Sequence, residues 1–179
     1  MELTDLELVN MTLMGDNKAY DELVKKYQTQ VYLYICKIGC DPEDAKGVTQ
    51  GVFLKAFLSL NKLKNPSKIR SWLYTIATNR YRNWERKNKY ISVSIEDNID
   101  YKDDITPEEM YLKKENVKEI KNVLDNLEDK YKEVLLLHYY HNYSYVQIAQ
   151  ITGLNIRTVE TRIYRGRQLI RNRAAKIAL

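Results

Sequence analysis

The chain has 179 residues, of which 44% are hydrophobic and 30% charged, and a formal net charge of +5. That composition fits one large or two small soluble globular domains, and six glycines and three prolines point to mostly helical structure. No apolar run approaches the roughly 20 residues of a membrane span, and MELTDLELVN is not a signal peptide, so the expectation is a cytoplasmic protein without membrane insertion.

Thr4 to Glu7 reads as a capping box, with Leu6, Val9, Leu13 and Met14 on one side of the first helix. After Gly15-Asp16-Asn17 a second helix carries Ala19, Tyr20, Leu23, Val24, Tyr27, Val31, Ile35 and Ile38 and stops at Gly39. Cys36 and Cys40 lie one turn apart with no histidine nearby; they read as buried thiols rather than metal ligands, and His138 and His141 make no metal set with them. No metal or cofactor is expected. Pro42 starts a third helix that runs to about Leu60, and Pro66 a fourth that reaches about Lys89. Four packed helices make a small domain.

In the fourth helix Ile69, Trp72, Leu73, Ile76 and Ala77 face inward. Arg70, Tyr74, Asn79, Arg80, Arg82, Arg86, Lys87 and Lys89 then form a basic surface that carries aromatic and amide groups. Single-stranded nucleic acid needs that combination, cations for phosphates and flat or polar groups for unstacked bases. Trp72 reads first as core and second as a base platform; Tyr81 and Trp84 stand open between the two.

The segment from Glu96 to Asn116 is acidic, lies between two basic halves and lacks sustained apolar periodicity at first. It reads as a linker, mobile between Ser92 and Ile105, running into a helix capped by Thr106 with Pro107 in its first turn. Further on, Ser144 and Gln147 form a second capping box, so a helix begins at Tyr145. Gly153 ends it, and Asn155 caps another helix from Ile156. In that last helix Ile156, Val159, Ile163 and Ile170 share one face, which leaves Arg157, Thr158, Glu160, Thr161, Arg162 and Arg165 on the other. Arginine forks, short hydroxyls and a carboxylate can read base edges in a major groove. From Asn155 to Leu179 seven basic residues face a single acid, Glu160, an excess that suits a polyanion.

Three segments, DPEDAKGVTQGVFLKAF, IRSWLYTIATNRYRNW and YSYVQIAQITGLNIRTVETRIYRGR, resemble in order the polymerase-binding helix, the promoter-melting helix and the helix-turn-helix of the bacterial extracytoplasmic-function sigma factors. The resemblance covers nearly the whole chain. It implies an all-α protein of two small helical domains joined by an acidic linker: 1–91 for polymerase binding and minus-ten melting, 92–116 as linker, and 117–179 as the helix-turn-helix domain. It also implies core RNA polymerase and promoter DNA as partners, together with an anti-sigma factor.

By the same resemblance Asn79 meets minus-ten bases, and Arg80 and Arg82 hold phosphates. The loop carrying Asn61, Lys62, Lys64 and Lys68 receives a flipped base, and Trp72 and Trp84 complete the melting set. Arg157, Thr158, Glu160, Thr161 and Arg165 match positions facing the minus-thirty-five element, with Arg162 beside them. Gly47, Gln50, Gly51, Phe53, Leu54 and Lys55 belong to the polymerase-binding helix, whose apolar residues from Val52 to Phe57 are expected to be exposed. Two features depart from the family pattern: glycine at 47 and 51, where acids are usual, and an acid at 160. No phosphate-cradling glycine loop and no nucleophile with a nearby base occurs, so catalysis is not expected. A stand-alone helix-turn-helix regulator, and less readily a nucleic-acid-processing enzyme, are the alternatives.

Overall fold

The computed structural model describes residues 3–91 and 126–177; the acidic linker and the helix expected after Pro107 lie outside the described residues. Among the described residues the chain is all-α, with seven α-helices and no strand.

Local chemistry sets the helix starts. In α1 (Asp5–Leu13) the Thr4 backbone N–H donates to Glu7 Oε2 at 2.7 Å, and the Glu7 N–H donates to Thr4 Oγ1 at 3.3 Å. Asp16 caps α2 (Asn17–Lys37) and Asp41 caps α3 (Pro42–Ser59) through carboxylates that accept first-turn N–H groups. Two 3₁₀ turns, Leu60–Lys62 and Pro66–Lys68, lead into α4 (Ile69–Ile91). Leu23, Val31 and Ile35 of α2, Val52 and Ala56 of α3, and Ile69, Leu73 and Ala77 of α4 build the core of this lobe.

The first helix buries a different stripe from the one expected. Leu8, Val9 and Thr12 pack inward, whereas Leu6, Leu13 and Met14 are exposed. In a helix of nine residues with apolar side chains on several sides, spacing alone does not choose the stripe; contact with α2 does.

Among the described residues the first helix of the second lobe is α5 (Asp129–Leu135), which runs into a π turn at Leu136–Tyr140. There the His141 N–H donates to the Leu136 carbonyl at 3.1 Å, and Asn142 takes a φ of 57°. This widened turn aims His141 toward the first lobe. Next come α6 (Tyr145–Thr152), opened by the Ser144/Gln147 box and closed by Gly153 at φ 70°, and α7 (Ile156–Ile177), whose Thr158 N–H donates to Asn155 Oδ1 at 2.7 Å. Both helix boundaries of the helix-turn-helix fall where the turn chemistry puts them. Ile148, Ile151, Val159 and Ile163 form its core, while Ile156 is exposed and Ile170 half-buried, so the apolar stripe of α7 is shorter than expected.

Gly166 is buried where α7 crosses α5, and a Cβ there would lie 2.8 Å from Leu135 Cδ1. The bare backbone lets the two helices close. The lobes themselves meet along α4, which packs on α6 and receives the π turn.

Candidate nucleic-acid interface

On α7 the inward pair Val159 and Ile163 fixes the rotation of the helix, so Arg157, Glu160, Thr161 and Arg165 are exposed on the other side. Thr158 and Arg162 are half-buried. An open groove of about 400 Å³ runs along this face, lined by Arg157, Thr158, Thr161, Arg162 and Arg165 together with Lys130 of α5. The structure therefore brings all the α7 candidates except Glu160 to one groove.

The expected α4 surface divides. Asn79 and Arg80 are exposed, as are Asn61, Lys62, Lys64 and Lys68 in the turns before the helix. Trp72 is half-buried and packs against the core. Trp84 is half-buried and stacks on Tyr81, ring centroids 5.8 Å apart. Tyr74, expected on the basic surface, is fully buried: its ring meets Tyr34 edge-on at 5.0 Å and its hydroxyl lies 3.0 Å from His141 Nδ1.

Arg82 is tied across the lobes. Its Nη1 donates to the Thr152 carbonyl at 2.6 Å, and its Nη2 donates to both Glu133 carboxylate oxygens at 3.1 Å. Arg82 is thus half-buried and engaged by protein.

On α3, Gln50, Leu54 and Lys55 are exposed and Gly47 opens onto empty space. Phe53 was expected to be outward and is not. It is 7% exposed, and its backbone carbonyl accepts the Tyr20 hydroxyl at 2.6 Å. Val52 is buried as well; the exposed apolar residues of this helix are Leu54, Phe57 and Leu58. Gly51 is half-buried, with the Arg80 guanidinium lying over it; a Cβ would sit 3.5 Å from Arg80 Nη1. This glycine therefore faces α4.

Sequence reasoning missed Glu133, Asp129 and His141. Asp129 accepts the Tyr81 hydroxyl at 2.8 Å, and the missing side chain of Gly39 leaves room for both groups, since a Cβ there would lie 2.8 Å from each. Burial pushes the Glu133 carboxyl above its ordinary value, against the pull of Arg82 and Arg162. Burial also pushes His141 down to about 4, with Arg70 and Lys37 adding to the effect. The one available signal for Glu133 was an acid set among Tyr131, Val134 and Leu135, on an otherwise apolar stripe. Cys40 is buried and Cys36 half-buried; both are free thiols, and burial pushes Cys40 up to about 12.

Two helical lobes, each presenting a cationic helix face, define a bipartite nucleic-acid-binding protein. Residues 23–90 match the family description Sigma-70 region 2, and residues 118–170 match Sigma-70, region 4. The ECF RNA polymerase sigma-E factor of Haemophilus influenzae is 31% identical to this chain, over 96% of each protein. SigW of Bacillus subtilis, an ECF RNA polymerase sigma factor, is 28% identical over 96% of this chain and 97% of its own. Among solved structures, RpoE from Bartonella quintana, in complex with the anti-sigma factor NepR, shares the fold with a TM-score of 0.70 at 20% identity, covering 87% of this chain and 96% of that one. CnrH, in complex with the cytosolic domain of CnrY, gives 0.66 at 21% identity, covering 94% and 95%. The chain belongs to the extracytoplasmic-function RNA polymerase sigma factors and is a transcription-initiation factor.

Proposed function

We propose that the two lobes divide promoter recognition within the sigma-factor role of binding core RNA polymerase and directing promoter-specific initiation. Residues 1–91 bind polymerase and open the minus-ten element, 92–116 link, and 117–179 read the minus-thirty-five element. The observation that carries this reading is the α7 face, where Arg157, Thr161 and Arg165 project from a helix whose opposite side is fixed by buried Val159 and Ile163. Arginines and hydroxyls so placed contact base edges and phosphates.

In the first lobe Asn79 and Arg80, with Asn61, Lys62, Lys64 and Lys68, are the groups open to single-stranded DNA. Trp84 and Arg82 join them once the lobes part. Trp72 supports α4 by packing. Gln50, Leu54 and Lys55, extended by Phe57 and Leu58, present the apolar and cationic surface for polymerase. An anti-sigma factor fits as a further partner, since RpoE is seen bound to the anti-sigma factor NepR. The site of action is the cytoplasm.

Run-off transcription with purified core polymerase and genomic fragments tests this reading. Discrete transcripts should appear only when the chain is present. Tight duplex binding by the chain alone, without polymerase-dependent transcripts, would support a stand-alone regulator instead.

A further inference from the structure

Helix α4 carries four arginines, and three of them are held by protein. Arg70 lies over the Tyr143 ring at 5.8 Å, Arg82 is held in the seam between the lobes by Glu133 and the Thr152 carbonyl, and Arg86 donates to Asn83 Oδ1. Arg80 is different. It is exposed and makes no hydrogen bond or ion pair among the described residues.

Its guanidinium rests instead on the backbone of α3. A Cβ at Gly51 would lie 3.5 Å from Arg80 Nη1, 3.6 Å from Cζ and 3.8 Å from Nε. Three atoms of a planar group at nearly one distance place that group broadside over the glycine. Its N–H donors lie in the plane of the group, so a contact through the face leaves them unobstructed at the edge. The acids of α3 are engaged elsewhere: Glu43 pairs with Lys46, and the Asp44 carboxylate accepts from Asn88 of α4. One turn beyond Gly51 on the same side of α3, Lys55 is exposed and adds a second cation. Arg80 thus combines a fixed seat with an unpaired charge. An arginine fork binds phosphate through parallel donors, and a guanidinium already held in place gives up less rotamer freedom on binding than a mobile one.

We propose that Gly51 is a positioning residue for promoter DNA: its bare backbone seats the Arg80 guanidinium against α3 without a counter-charge, so that the donors of Arg80 stay open to a phosphate of the opened strand. The proposal rests on the reading of Arg80 as a phosphate-binding residue. It gives α3, the polymerase-binding helix, a second part in the handling of DNA, exerted through its neighbour.

The test uses holoenzyme assembled from core polymerase and each full-length variant. The probe is a fluorescein-labelled fork DNA whose single strand carries the minus-ten region of a promoter recovered by run-off transcription. Binding is followed against salt concentration, and assembly with core polymerase is titrated separately, so that a weakened polymerase contact is scored apart from DNA binding. Arg80→Gln should reduce the log–log salt slope by about 0.7, one phosphate contact on a single strand, and weaken binding about fivefold at roughly 0.1 M salt. Gly51→Glu should reproduce both changes by pairing with Arg80. Gly51→Ala, and Gly51→Gln as the uncharged match for glutamate, should keep the wild-type slope, and Gly51→Glu should add nothing once Arg80 is glutamine. Wild-type binding by Gly51→Glu, losses that persist in the Arg80→Gln background, or equal losses in Gly51→Gln each overturn the positioning role while leaving the phosphate role of Arg80 standing. A wild-type slope in Arg80→Gln overturns that role itself, and the proposal with it.

Discussion

Glu160 shows what a single side chain contributes to the account. It is the lone acid among the basic residues of α7, it is exposed, and the family resemblance places it toward the minus-thirty-five element. A carboxylate repels phosphate but accepts from the amino group of cytosine, and a good base contact discriminates by about 1–3 kcal/mol. Glu160→Arg should therefore remove a cytosine preference and replace it with a guanine one, as read by selection from a randomised minus-thirty-five library. An unaltered library profile would mean that Glu160 touches no base. Glycines are equally informative at this scale because their settings differ. Gly47 opens onto empty space within α3, so Gly47→Ala should stabilise by about 1 kcal/mol through helix propensity alone. At Gly166 the added methyl meets Leu135 across the α5–α7 crossing, where overpacking costs about 1–3 kcal/mol and exceeds the propensity gain. Thermal melts of the two alanine variants should move in opposite directions. Gly51→Glu, in contrast, would put a carboxylate beside Arg80 and draw that arginine toward α3, a consequence that became visible only with the neighbouring helix in place.

At the scale of elements, the π turn after α5 has the clearest measurable consequence. It delivers His141 into the seam as a neutral ring with a pKa near 4, against 6.5 for an ordinary histidine. Between those values the unfolded chain binds a proton that the folded chain refuses, so stability falls as pH drops from 6.5 toward 4. The loss at pH 5 is on the order of 2 kcal/mol. Glu133, raised by burial, works in the opposite sense: its contribution is present below the ordinary carboxylate value and lost as pH rises through its raised folded value, so it opposes the His141 effect. The melting temperature should thus decline from about pH 6.5 to 5 in the wild type and stay nearly level in His141→Gln; a level wild-type profile would contradict the buried neutral ring.

Elements also mark where sequence reading succeeds and fails. Thr4, Pro42, Ser144, Gly153 and Asn155 announce helix ends because the chemistry of a helix end is decided within four residues, and each acts where that chemistry puts it. The rotation of a helix is another matter. Phe53, Tyr74 and the α1 stripe were misplaced because spacing gives relative positions on a helix, while neighbours choose which stripe is covered. For α4, which is contacted by α2, α3 and α6, little of the circumference remains free. Arg82 looked like open cationic surface for the same reason: its partners Glu133 and Thr152 lie 51 and 70 residues away in sequence.

For the whole molecule, the proposed division of promoter recognition means that two lobes on one chain gain more by being joined than either gains alone. On that proposal each lobe alone binds weakly, and once one is seated the other searches at high effective concentration, provided the intervening chain can span the gap. Lobe identity, order and the acidic character of the join were legible in the sequence, because three segments carry them in sequence order. The seam that packs the lobes together was not, since each of its contacts pairs residues far apart along the chain. The most direct measurement is run-off transcription with core polymerase from a responsive promoter whose two elements are moved apart or together in single base-pair steps. Each step shifts one element by about 3.4 Å and rotates it around the duplex, so the account predicts a sharp optimum and a steep fall within a few base pairs on either side. Transcription that is indifferent to spacing would contradict recognition divided between two lobes.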